Sequence, residues 1–207
     1  AIDRMVSDGV TEVWDIATFG IAREALAQSG LRGIVFEECV GGFDTDGRIH
    51  WERWLARHSS AFAGSVRTGN RWIAGLSPHS VYSLHPEALR VAAAWATERE
   101  APMAIHLAES PEENDWLIEG GGPMRQMAEE LGSADRREIL GTGSSPIMRA
   151  RKAGVLGPAT LAIHCNLPQP GEVEVLARSR CVVVFCPCSH AFFGYPPYPL
   201  TRMKAAG

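Results

Sequence analysis

Short apolar, β-branched runs alternate with longer stretches of helical period along the whole chain. The apolar runs predict strands over residues 10–16, 33–40, 72–76, 103–107, 161–165 and 181–186. Between them, apolar positions recurring every three or four residues predict helices over 18–29, 50–62, 86–98, 123–131, 146–153 and 171–178. The run Cys181-Val-Val-Val-Phe-Cys186 is apolar without alternation, the signature of a parallel strand covered on both faces. Residues 1–9 read as the tail of an amphipathic helix and 200–207 as a helix with a glycine stop, so both ends read as cut.

Helix punctuation agrees with this pattern. Ser110-Pro111-Glu112-Glu113 reads as a capping box with proline at the first helical position. Gly30, Gly132, Gly154 and Gly207 each fall where a helix should stop. Six strand–helix units with no internal repeat and no low-complexity linker predict one α/β domain over residues 1–207. Two architectures compete for it, a doubly wound sheet and a (β/α)8 TIM-type barrel. Gly120-Gly121-Gly122 follows a helix rather than a strand, so no dinucleotide-binding turn is present. A complete barrel takes about 250 residues, so this chain would supply about six of its units.

Composition narrows the partners more than the fold. With 207 residues, 45% hydrophobic and 21% charged, the chain is neither disordered nor a coiled coil. A net charge of −4 without basic clusters excludes nucleic acid and anionic membrane surfaces as natural partners. No apolar run approaches the roughly 18 residues of a membrane span. Five cysteines without framework spacing point to free thiols and a cytoplasmic setting.

Candidate chemistry lies in the distribution of histidine. In an α/β sheet of either kind, reactive groups gather at the carboxyl ends of the strands. Four of the seven histidines end or follow a predicted strand: His79, His106, His164 and His190. Taken singly, such a residue is ordinarily a loop or core histidine with a local partner. Four on one rim need partners that a shared metal or substrate would supply. His50, His58 and His85 fall on helices and read as surface or capping residues.

His106-x-x-Glu109 is the sharpest element. A strand-end imidazole can ligate a metal, while a carboxylate three residues on can serve the water without ligating. That division of labour suits hydrolysis, since the metal acidifies water and the carboxylate moves its proton. The bland reading of Glu109 is a helix cap, but Ser110 already supplies one. A rival thiolate zinc site from Cys165, Cys186, Cys188 and His190 lacks the usual two-residue knuckle. Cys181 and Cys186 read instead as small apolar packing residues.

Ser77-Pro78-His79, Ile105-His106-Leu107-Ala108-Glu109, Ile163-His164-Cys165 and Cys186-Pro187-Cys188-Ser189 occur in this order. Together they resemble the amidohydrolase superfamily, in its branch of nucleoside and aromatic-ring deaminases and chlorohydrolases. The stretch from His106 to Gly132 is most similar to the aminofutalosine-type deaminases. The resemblance implies a distorted TIM-type barrel, here incomplete, with one divalent metal, zinc or iron. It further implies His106 as metal ligand and Glu109 as proton-shuttling acid/base, also touching substrate. His164 would contact the metal or the attacking hydroxide, and His79 the substrate. Where the family pattern has Asn after Cys-Pro-x-Ser, this chain has His190. The family's His-x-His motif would precede Ala1, and its strand-eight Asp would follow Gly207.

The reading that follows is a metal-dependent hydrolase that deaminates a small heteroaromatic substrate, with a homo-oligomer as the expected assembly. The alternative is an inactive barrel remnant or binding protein without a complete metal site. Catalytic zinc takes three protein ligands plus water, and the motifs alone supply His106 and His164. The 207 residues in isolation are therefore expected to hold no well-ordered metal, to show no deaminase activity, and to need another copy or further pieces of the protein for stability. Metal analysis of the purified chain checks this, and stoichiometric metal would overturn it.

Overall fold

The computed structural model describes residues 1–43, 46–63, 71–130 and 141–207. Six strands form one parallel sheet: β1 (Glu12–Ala17), β2 (Arg32–Cys39), β3 (Trp72–Pro78), β4 (Met103–Leu107), β5 (Thr160–His164) and β6 (Val182–Val184). Their order in the sheet is their order in the chain, and among the described residues each strand pairs only with its sequence neighbours. A doubly wound sheet reverses direction once; this one never does. The winding is that of an incomplete TIM-type barrel, which settles the choice the sequence left open.

Helices follow the strands: α1 (Ile2–Ser7), α2 (Ile21–Ala27), α3 (Gly47–Phe62), α4 (Pro86–Glu98), α5 (Pro111–Asn114), α6 (Pro123–Glu130), α7 (Pro146–Lys152), α8 (Glu172–Ser179), α9 (Pro187–Phe193) and α10 (Leu200–Ala206). Asp46 caps α3 through its carboxylate, which accepts from the amides of Arg48 and Ile49. His85 caps α4, its Nδ1 accepting from the Glu87 amide at 3.1 Å, as its position suggested. Gly30 is not a helix stop, because α2 already ends at Ala27 with Gln28 as its cap. Gly154 does follow α7 in the left-handed region, and Gly132 lies outside the described residues. A π-helical turn over Asp115–Glu119 and the helix α9 went unpredicted.

The larger core lies between sheet and helices. Leu76, Ile105, Leu107 and Ala162 pack there against α4, α7 and α8, with Trp51, Trp54 and Trp95 forming an aromatic seam between α3 and α4. Burying each large side chain stabilises the fold by about 1.5–3 kcal/mol. A smaller cluster occupies the opposite face of the sheet: Ile34, Phe36 and Ala104, with Ile16, Ile73, Leu161 and Ile163 against them. This is the barrel floor beneath the strand ends.

Gly75 makes room in that floor. A Cβ there would lie 2.4 Å from Cδ1 of Phe36 and 3.0 Å from Cγ2 of Ile34. Gly75→Ala is therefore expected to destabilise the fold by about 1–3 kcal/mol. Adding Phe36→Leu should recover part of the loss in urea melts; strictly additive losses would show that the two positions do not touch.

Candidate active site

Alternate residues of a strand share a face, so the floor dictates what stands above it. On β2 the series Ile34, Phe36 ends in Glu38. On β3, Ile73, Gly75 and Ser77 lead to His79, and on β4 Ala104 leads to His106. The rim is thus polar where the floor is apolar. The ladder extends past the strand ends to hold it: the His79 amide donates to the Cys39 carbonyl and the His106 amide to the His79 carbonyl, both at 2.9 Å.

β5 departs from this rule. Leu161 and Ile163 face the floor, so regular alternation would bring Cys165 to the rim. Instead His164 and Cys165 take φ values of 72° and 49°, which non-glycine residues adopt only under constraint. The kink turns the His164 imidazole inward, placing its Nε2 3.4 Å from Nδ1 of His106. Ala108, beyond β4, has φ of 48° and starts the loop that returns Glu109 to the same point, with Oε1 3.4 Å from His164 Nε2.

His79, His106, Glu109 and His164 therefore come together at one end of the sheet, as their strand-end positions predicted. The His79 and His106 ring centroids lie 5.1 Å apart, and those of His106 and His164 lie 5.5 Å apart. Ser83 Oγ sits 2.6 Å from Nδ1 of His79 and is itself held by Ser80, which leaves Nε2 of His79 to face a ligand. The fourth histidine of the predicted rim does not join them. His190 packs edge-on to Phe185, Tyr195 and Tyr198, and it forms no donor cluster with Cys165, Cys186 and Cys188 among the described residues.

Sequence reasoning missed Glu38. Its carboxylate, with His79 and His106, offers ligand atoms all within 4.8 Å of one another. Thr18 donates to Glu38 Oε2 at 2.7 Å and Trp54 Nε1 to its carbonyl at 2.9 Å, fixing both ends of the residue. The available signal was an acidic residue two places beyond Phe36, on the strand face that Ile34 and Phe36 keep apolar. The donor set, imidazole nitrogens and one carboxylate, fits a divalent cation of borderline softness.

The electrostatics suit the same role. Burial, with His79 and His164 alongside, pulls the His106 imidazole down to about 4, against the opposing pull of Glu109 and Glu38. Burial lowers His164 as well. Both rings are thus neutral at physiological pH, with lone pairs free to ligate or accept. The Cys165 thiol is pushed far up by burial, so it does not ionise as a thiolate ligand must.

The amidohydrolase family profile matches residues 1–194. Aminodeoxyfutalosine deaminase of Deinococcus radiodurans is 26% identical across 99% of this chain and 50% of its own length. 5-Methylthioadenosine/S-adenosylhomocysteine deaminase of Symbiobacterium thermophilum is 27% identical across 98% of this chain and 42% of its own. The chain spans about half the length of the curated relatives it matches. Among solved structures, Helicobacter pylori aminofutalosine deaminase in complex with methylthio-coformycin superposes with a TM-score of 0.84 at 18% identity, over 100% of this chain and 49% of that one. Atrazine chlorohydrolase of Arthrobacter aurescens TC1, complexed with zinc, gives 0.74 at 15% identity over 99% and 44%. At such identities the likeness establishes the fold.

The depressed His106 imidazole has a measurable consequence. Its folded value of about 4 lies below the ordinary 6.5, so on acidification the unfolded chain takes up the proton first. Stability is then undiminished above pH 6.5 and falls as the pH drops toward about 4. Urea unfolding across that window should show the wild type losing stability more steeply than His106→Asn. Parallel curves would mean that His106 is not held neutral.

Proposed function

The chain belongs to the amidohydrolase family, and on that premise we propose that it carries the catalytic face of a metal-dependent hydrolase that deaminates a small heteroaromatic amine. One observation carries the reading: His164 Nε2 lies 3.4 Å from both His106 Nδ1 and Glu109 Oε1. Candidate ligand, polarising imidazole and proton-transferring carboxylate meet at one point.

His106 would ligate the metal, the Glu38 carboxylate would bring a further donor atom to the same point, and His164 would face the attacking oxygen beside it. A divalent cation bound there lowers the pKa of the attacking water. Zinc is the choice we favour over iron, since these donors suit it and the related chlorohydrolase holds it. Glu109 accepts a proton from the water as its oxygen bonds to the ring carbon bearing the amino group. It then delivers that proton to the adjacent ring nitrogen. As the carbon–nitrogen bond breaks, Glu109 carries the proton of the added hydroxyl to the amino group, which departs as ammonia, and the ring keeps a carbonyl. His164 stabilises the charge that develops on the attacking oxygen, and His79 presents Nε2 to the substrate.

The relatives' names suggest purine nucleosides as the substrate class, so 5'-deoxyadenosine, 5-methylthioadenosine, S-adenosylhomocysteine and aminodeoxyfutalosine form the test panel. All five cysteines are free, which supports a reducing, cytoplasmic setting. No helix among the described residues is long and apolar enough to cross a membrane.

Ammonia release by the zinc- or iron-loaded protein carrying this chain tests the proposal. Glu109→Gln should keep its metal and lose about 10²–10⁴-fold in turnover, whereas His106→Ala should lose the metal itself. Equal metal loss in both variants would make Glu109 a ligand and overturn the assignment.

A further inference from the structure

Glu113 is a buried acid that the reaction above does not use. It is 2% exposed, and burial, with Glu109 nearby, raises its carboxyl to about 8. In a capping box the third helical residue reaches back to the amide of the capping residue. Ser110 keeps its half of that bargain, accepting from the Glu113 amide at 3.3 Å. Glu113 does not return it. Its Oε2 accepts instead from the backbone amide of Glu109 at 2.8 Å, and the carboxyl group also accepts from the Ala108 amide. Its Oε1 has no hydrogen-bond partner. A surface cap has no need of a fully buried carboxyl, which is costly to desolvate.

The other side of the same residue is held from the segment that follows β5. Asn166 Nδ2 donates to the Glu109 carbonyl at 2.9 Å, and the Asn166 amide donates to the Ala108 carbonyl at 2.9 Å. Both peptide groups of Glu109 are thus fastened, one by Glu113 and one by a residue two places after His164. Ala108, the residue before Glu109, has a positive φ, a conformation that persists only where its surroundings enforce it.

We propose that Glu113 is a positioning residue for Glu109: with Asn166 it clamps the two peptide groups of Glu109, so that its carboxylate stays in register with His164. The proposal rests on Glu109 being the acid/base. Removing the clamp displaces a proton-transferring group without touching substrate, so the loss belongs in kcat and leaves KM nearly unchanged. Misplacement of about 1 Å is worth about 10²-fold.

The experiment is Glu113→Leu in the metal-loaded protein, assayed with 5-methylthioadenosine, together with the Glu109 backbone amide proton followed by NMR. We expect kcat to fall about 10²-fold and the Glu109 amide proton to move upfield. Glu113→Gln, which keeps an acceptor, should restore most of both. Should Glu113→Leu fail to fold, Glu113→Asp, retracting the carboxylate by one methylene, carries the same expectation. In a Glu109→Gln background, Glu113→Leu should cost almost nothing more. An undiminished loss there, or an unmoved amide, overturns the clamp. Full turnover by Glu109→Gln alone would instead defeat the acid/base reading, while the amide shift still decides whether the clamp exists.

Discussion

The parallel register of six strands in chain order is the constraint from which the site follows. All carboxyl ends lie on one side of such a sheet, and the period of two fixes which residue of each strand faces inward. Ile34 and Phe36 on β2 and Ala104 on β4 cover the floor, so Glu38 and His106 must stand on the rim. Loops place only what the strands have not already placed. Glu109 depends on a loop for its place, and that loop is tied down at both peptide groups of Glu109 by side chains rather than by the sheet ladder.

Several ionisable groups crowd one end of the sheet. Burial disfavours the charged form of both His106 and His164. His106 is the balance point, drawn down by burial and its histidine neighbours and partly restored by Glu109 and Glu38. Glu113 moves in the opposite sense, kept protonated by burial. Acidification and alkalinisation thus disturb different members of the same site.

The sequence made the strands, their parallel character and four of the rim residues legible, because apolar runs and strand-end histidines survive without tertiary context. It could not decide between winding schemes, since sheet order is a property of distant pairing. Glu38 stayed hidden because the acidic pair at the end of β2 looks like ordinary strand termination, and only the face occupied by Phe36 tells the two acids apart. Glu37 takes the other face and is buried there. The capping box was legible in composition but not in its bonding, for a carboxylate one residue out of register with its usual partner leaves no trace in the sequence. Helix α9 was missed because Cys-Pro-Cys-Ser-His carries little helical signal before its aromatic neighbours.

The kink at the end of β5 also selects the kind of atom that the site offers. A regular strand would have carried the Cys165 sulfur to the rim and sent the His164 ring into the helical layer. The two positive φ values exchange them, so a nitrogen looks inward and the thiol lies buried, bonded to the Ala162 carbonyl. Thiolate donors select zinc, copper(I) and iron–sulfur clusters, whereas imidazole with carboxylate also suits harder divalent cations such as ferrous iron. Two backbone torsions, rather than any exchange of side chains, set the hard–soft character of this centre.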